Sequence, residues 1–260
     1  MNPAFKSYIG IDYSGAETPT KSLPGLRVYE ADRVSVSHEI EPPASPRKYW
    51  TRKGIAEWLV AKLTKEPETL VGIDHGFSFP LRYFEQHGLP LDWPSFLDDF
   101  QGHWPTDEDH TYVEFVRDGS CGNAAARSGD PHWRRITEVR ARAKSVFQFD
   151  VQGSVAKSTH AGIPWLRYIR QQVGSKVHFW PFDGWSVPPN SSVIVEAYPA
   201  LWNSGFPPAD RTPDQQDAFS IAEWLRRSDA DGTLAQFFSP HLGPSERQTA
   251  AVEGWILGVL

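Results

Sequence analysis

The chain has a single cysteine, Cys121, so it cannot form an intrachain disulfide or supply a set of thiolates for a structural zinc ion. Long hydrophobic runs are missing as well: no apolar stretch approaches the length needed to cross a bilayer, and the N-terminal residues lack the basic-then-apolar layout of a secretory signal. A surplus of positive charge is also absent. The formal net charge of -6 argues against non-specific coating of nucleic acid, although a local basic groove stays compatible with it. There is no internal repeat, low-complexity tract or obvious interdomain linker. These absences fit a soluble, cytoplasmic chain, and 260 residues are enough to bury a substantial core as one α/β domain spanning 1–260.

What the chain does have is a repeated local arrangement. Tyr8-Ile9-Gly10-Ile11 is a short apolar run that reads as a buried strand; it ends on Asp12 and turns through Ser14-Gly15. Leu70-Val71-Gly72-Ile73 does the same, ending on Asp74 before His75-Gly76. An isolated carboxylate at the end of a hydrophobic strand is costly to bury without a partner. Two of them in parallel settings imply a shared cation, and a divalent metal is the obvious candidate.

Between these runs, Leu26 to Glu30 and Val34 to Ile40 have strand character; in the second, Val34, Val36, His38 and Ile40 alternate with Ser35 and Ser37. Prolines 42, 43 and 46 end this meander, and from Thr51 the period changes to that of a helix with Ile55, Trp58, Leu59 and Leu63 on one face. Three strands, a helix and a further strand allow the fourth strand to lie parallel to the first, with Asp74 beside Asp12. Roughly 77–190 is irregular, rich in Trp, Pro and Gly, and predicts short helices and long loops. Within it, Trp133 to Lys144 reads as a basic helix carrying Arg134, Arg135, Arg140, Arg142 and Lys144; Phe147 to Val155 as a strand or extended loop; and Pro164 to Gln172 as another helix. Val193-Ile194-Val195 is a β-branched strand finishing on Glu196. Thr212-Pro213-Asp214-Gln215 has the threonine cap, first-position proline and capping-box glutamine of a helix start, continued by Ala218, Ile221, Ala222 and Leu225. Ser245-Glu246-Arg247-Gln248 offers a second capping box for a final helix with Val252, Trp255, Ile256 and Val259 inward.

Two divalent ions about 4 Å apart can polarise a phosphodiester and activate a water, and they need several acids converging from different elements. Asp12, Asp74, Glu196 and Asp217 meet that description as the candidate catalytic set, with Asp12, Asp74, Asp217 and Asp214 as candidate metal ligands; Asp214 and Asp217 share one face near a helix N-terminus. For each acid the plain alternative is a turn cap or first-turn charge. The basic helix would hold phosphates or, alternatively, be an ordinary solvated face. His75, next to Asp74, is a possible general base, and Glu253 a possible accessory ligand, a structural pair or a solvated residue. Gly153-Ser154-Val155-Ala156-Lys157-Ser158 lacks the glycine spacing of a phosphate loop, and most Trp residues belong to core or loop anchors.

The order Ile9-Gly10-Ile11-Asp12-Tyr13-Ser14-Gly15, Gly72-Ile73-Asp74, Glu196-Ala197-Tyr198-Pro199 and Asp214-Gln215-Gln216-Asp217-Ala218 resembles the ribonuclease H-like superfamily. It is most similar to a predicted-nuclease family of unknown function that is itself similar to RuvC-type Holliday junction resolvases. The resemblance extends to Ala143-Lys144-Ser145, Gly153-Ser154-Val155 and the closing Glu253-Gly254-Trp255-Ile256-Leu257-Gly258. It implies a mixed five-stranded sheet, three antiparallel strands then parallel ones, flanked by helices and carrying a long insertion at roughly 77–190. It also implies a Mg2+- or Mn2+-dependent nuclease whose first acid ends strand one, whose second ends strand four and whose last opens a C-terminal helix as Asp-x-x-Asp-Ala. The alternative from another class is a non-catalytic module of the same fold that binds a partner through the acidic cleft and the Trp-rich insertion. An ATP-dependent phosphotransferase would need two such domains with glycine phosphate turns, which this length and pattern do not provide.

Overall fold

The computed structural model describes residues 4–44 and 46–260. In chain order the elements are β1 (Ser7–Asp12), β2 (Arg27–Asp32), β3 (His38–Glu39), α1 (Arg52–Lys65), β4 (Thr69–Asp74), α2 (Leu81–His87), α3 (Trp93–His103), α4 (Val113–Arg117), α5 (Ile136–Ala141), α6 (Ala156–Val173), β5 (Val177–Phe179), β6 (Ser192–Glu196), α7 (Pro213–Ala230), α8 (Leu234–Phe237) and α9 (Pro244–Glu253), with short 3-10 turns between some of them. Among the described residues the strands form one mixed sheet in the order β3-β2-β1-β4-β6-β5. β2 runs antiparallel to β1 and β3, whereas β1, β4, β6 and β5 are mutually parallel. The α/β class and the antiparallel-then-parallel order follow the sequence pattern, but there are six strands where five are expected. The extra one, β5, is a three-residue strand inside the interval taken as irregular.

Both faces of the sheet are covered, so its central strands are apolar throughout rather than alternating. Ile9, Ile11, Val71, Ile73 and Ile194 face one core, shared with α1, α3 and α6. Tyr8, Leu70, Val193 and Val195 face the other, built with Ile221 and Leu225 of α7 and the closing segment. Glycines set the approach of α7: a Cβ at Gly10 would collide with the Ala218 carbonyl oxygen and one at Gly72 would lie 2.6 Å from the Ile221 side chain. Only a bare backbone lets α7 cross β1 and β4 this closely. The helix starts as its sequence predicts: Thr212 Oγ1 accepts the Gln215 amide, and the Gln215 side chain accepts the Thr212 amide. Thr51 likewise caps α1 by accepting the Gly54 amide at 2.9 Å, a contact typically worth about 1 kcal/mol.

Several expectations fail for identifiable reasons. Val34 and Val36 are 90% and 61% exposed, because Asp32 accepts the amides of Val34 and Ser35 and curls the chain into a turn straight after β2, so the strand expected over Val34 to Ile40 is cut to β3 at His38–Glu39. Of the two readings of Phe147 to Val155, strand or extended loop, the strand is not formed; the segment is a run of turns. The helix expected from Pro164 is α6, which begins eight residues earlier and runs through the proline. Pro164 cannot donate to the His160 carbonyl, and the Thr106 hydroxyl satisfies that oxygen instead at 2.7 Å. The expected basic helix shrinks to Ile136–Ala141, with Arg135 as its N-cap and Arg142 left-handed at its end (φ 55°). α9 stops at Glu253; Trp255, Ile256 and Val259 are buried, but in an extended segment where Ile256 bridges Glu196. Among the described residues no helix is long and apolar enough to cross a membrane.

Candidate metal centre

β1 and β4 are neighbours in register, so that Asp12 pairs directly with Asp74. Residues paired across a sheet share a face, and both carboxylates therefore point toward α7. The glycine-mediated approach of α7 brings Asp217, in the second turn of that helix, to the same spot. One carboxylate oxygen from each of Asp12, Asp74 and Asp217 lies within 4.8 Å of the other two.

The acids line a cavity of about 510 Å³ with Ser14, Gly15, Ser154, Lys157, Tyr198 and Asp214. Its far wall is the start of α6, held tightly against both acid turns. A Cβ at Gly15 would strike the Lys157 carbonyl, and the Gly76 amide donates to Thr159 Oγ1 at 2.9 Å. Among the described residues Lys157 is the one cationic side chain lining the cavity, and its ammonium is paired with Glu114 at 2.5 Å.

Among the described residues no cationic side chain forms an ion pair with Asp12, Asp74 or Asp217. Burial, followed by the charges of Asp74, Asp214 and Asp217, pushes the Asp12 carboxyl well above the ordinary carboxylate range. Asp74 is raised by burial and then by Asp217 and Glu196; Asp217 is raised by burial and by Asp214, against a hydrogen bond from Asn203 Nδ2 at 3.0 Å. Asp74 Oδ1 is buried and, among the described residues, accepts no hydrogen bond. Three close carboxylates, one with an orphaned oxygen, form an all-oxygen donor set that fits Mg2+ or Mn2+. Asp214 lines the same cavity and acts on Asp12 and Asp217 through its charge, but it lies outside the close group.

Glu196 does not join them. In the β4–β6 register it stands opposite Ile73, not Asp74, so it projects from the other face of the sheet. There Arg135 grips it: Nη2 donates to Oε1 at 2.6 Å and Nη1 to Oε2 at 2.7 Å, and the Phe77 amide adds a third bond at 3.2 Å. Arg135 Nε donates in turn to Glu138 at 2.9 Å. Arg135 is therefore not available to nucleic acid: it is 1% exposed, and although burial alone would lower its pKa, Glu196 and Glu138 outweigh that and hold it raised.

The rest of the expected basic surface is largely spent on the protein itself. Arg134 donates to the carbonyls of Glu138 and Ala143, Arg140 pairs with Glu246 at 2.7 Å, and Lys144 donates to the Gln152 carbonyl. Arg142 is exposed. His75 is not placed as a general base. It is buried against Tyr13 and Phe77, its Nδ1 bonds the Gly76 carbonyl, its ring abuts Gly162, and burial lowers it to about 4 so that it is neutral at pH 7. Glu253 is also structural: its two oxygens accept the first amides of α2 (Leu81) and α5 (Ile136), each at 2.7 Å. Asn203 and the α6 wall carry no sequence signal of proximity to the acids, whereas the Arg135-x-x-Glu138 spacing is that of a helix-start pair. No family model, curated protein or solved structure matches this chain.

Proposed function

We propose that this chain is a ribonuclease H-like, metal-dependent nuclease that hydrolyses phosphodiester bonds, with Asp12, Asp74 and Asp217 as the ligands of Mg2+ or Mn2+. The observation that carries the reading is the convergence of three carboxylates from β1, β4 and α7, with one buried oxygen left without a donor among the described residues. A bound divalent ion would polarise a phosphate oxygen and lower the pKa of a water. Asn203 orients Asp217 through its hydrogen bond. The start of α6, with Ser154, Lys157 and Ser158 on the opposite wall, turns the positive end of a helix toward the cavity, a setting that favours phosphate oxygens.

The test is cleavage of single-stranded, duplex and branched DNA and RNA by purified protein with Mg2+ or Mn2+, with Asp12→Asn as control. Cutting that requires the metal and disappears in Asp12→Asn supports the reading; cutting that survives in Asp12→Asn contradicts it. One observation favours a second reading, a non-catalytic module: Arg134, Arg135, Arg140 and Lys144, expected to hold a polyanion, are engaged within the protein. Metal binding without cleavage of any of these substrates would select it.

A further inference from the structure

The long insertion holds a cavity of about 500 Å³ lined by the rings of Trp104, Phe147, Phe149 and His160 and by Arg117. The Trp104 and Phe149 rings are parallel to within 7°, and the Arg117 guanidinium lies over Phe149, 4.4 Å from the ring centre. A purely apolar void would need no polar partner, but two residues of this wall carry uncommitted polar atoms of opposite kind. Trp104 is 3% exposed, and among the described residues its buried Nε1 finds no acceptor. His160 is buried with Nδ1 2.9 Å from the Ala156 carbonyl, which can only accept; Nδ1 therefore bears the proton and Nε2 is left as an acceptor. Burial lowers the ring to about 3 and keeps it neutral. Stacking surfaces joined to one donor and one acceptor suit a planar nitrogen heterocycle with both groups on its edge, which is the chemistry of a nucleobase.

The cavity adjoins the acids along the chain. Phe149, Asp150 and Val151 line it, whereas Gly153, Ser154 and Val155 line the acid cavity; on α6, Lys157 and Ser158 belong to the acid cavity and His160 to this one. Ser158 and His160 are separated by only about 3 Å of helical rise. We propose that the cavity walled by Trp104, Phe149 and His160 is a subsite for an unpaired nucleobase of the nucleic acid whose phosphate lies at Asp12, Asp74 and Asp217. The inference rests on the nucleic-acid reading given above and deepens it: a base enters such a pocket only when it is out of the stack, so single-stranded or mismatched positions are the preferred substrates.

The test is the fluorescence of single-stranded DNA and RNA, each carrying one 2-aminopurine, titrated with the full chain in chelator so that no metal takes part. Saturable quenching is expected with at least one of the two strands, and the same strand with an abasic site in place of the 2-aminopurine should bind at least about tenfold more weakly. Phe149→Ala should weaken binding of the intact strand by at least about tenfold and leave the abasic strand unaffected. Ala125 is an exposed residue of the same wall, so Ala125→Trp narrows the cavity without removing core and should abolish the quenching while the unfolding midpoint stays put. Absence of quenching with both strands, equal affinity for abasic and intact strands, or quenching that persists in both variants would overturn the inference. Any of these would leave the metal centre to its own cleavage assay. Base-dependent quenching by a protein that cuts nothing with Mg2+ or Mn2+ would keep the subsite and remove only the hydrolysis.

Discussion

Among the described residues, two groups of acids gather where β1, β4 and β6 end, and they divide by what surrounds them. Glu138, Glu196 and Glu253 have donors on both oxygens: Arg135 with its own backbone amide, Arg135 with the Phe77 amide, and the opening amides of α2 and α5. Asp12, Asp74 and Asp217 face one another, with Asp214 adding a like charge and Asp74 Oδ1 unpartnered among the described residues. Burial acts on both groups, raising Glu138 and Glu253 as well as the aspartates. The partners are what differ. The glutamates complete the structure by themselves, whereas the aspartates are left incomplete in a way that a bound cation would resolve, and local rules tend to be broken at functional sites.

The largest effect should come from attacking the completed group. Arg135→Met strands Glu196 and Glu138 as buried charges and should cost roughly 3–5 kcal/mol in denaturant unfolding. A loss below about 1 kcal/mol would erase the distinction between the two groups. Gly10→Ala pushes α7 off β1 and should cost about 1–3 kcal/mol. Because it shifts Asp217 away from Asp12, it should also weaken Mn2+ binding, which titration of the folded variant would read; unchanged binding would show that the α7 approach does not set the centre.

Asp74→Asn should do the reverse of Arg135→Met and stabilise the metal-free protein, by about 0.5–2 kcal/mol, because it removes an unpaired charge. The pH dependence has a definite sign. A carboxyl whose folded pKa is raised makes the folded chain bind more protons than the unfolded one, so this stabilisation exists at low pH and is lost as pH rises from the ordinary carboxylate range through the raised values. The Tm gap between Asp74→Asn and wild type in chelator should therefore widen as pH rises through that window and close again when Mn2+ is added. A gap that is constant with pH would mean the aspartates do not repel one another.

Much of this was written in the chain. The two apolar runs ending on Asp12 and Asp74 set those acids side by side by pattern, and Thr212-Pro213-Gln215 marks the start of α7, but that α7 brings Asp217 to them is seen only in the structure. The face occupied by Glu196 was not legible, since a strand buried on both sides shows no alternation and only the register with β4 reveals that it opposes Ile73. Nor does a run of arginines tell which one is internal: Arg135 and Arg142 look alike in sequence, yet one is sealed in the core and the other is exposed. β5 was missed because three residues, Val177-His178-Phe179, are too few among loops to show a periodicity.

The most direct test is a calorimetric titration of Mn2+ into metal-free wild-type protein and into Asp74→Asn. Wild type should bind with a Kd below about 1 mM and Asp74→Asn should give no saturable heat in that range. A silent wild type, or equal binding by the variant, would contradict the account.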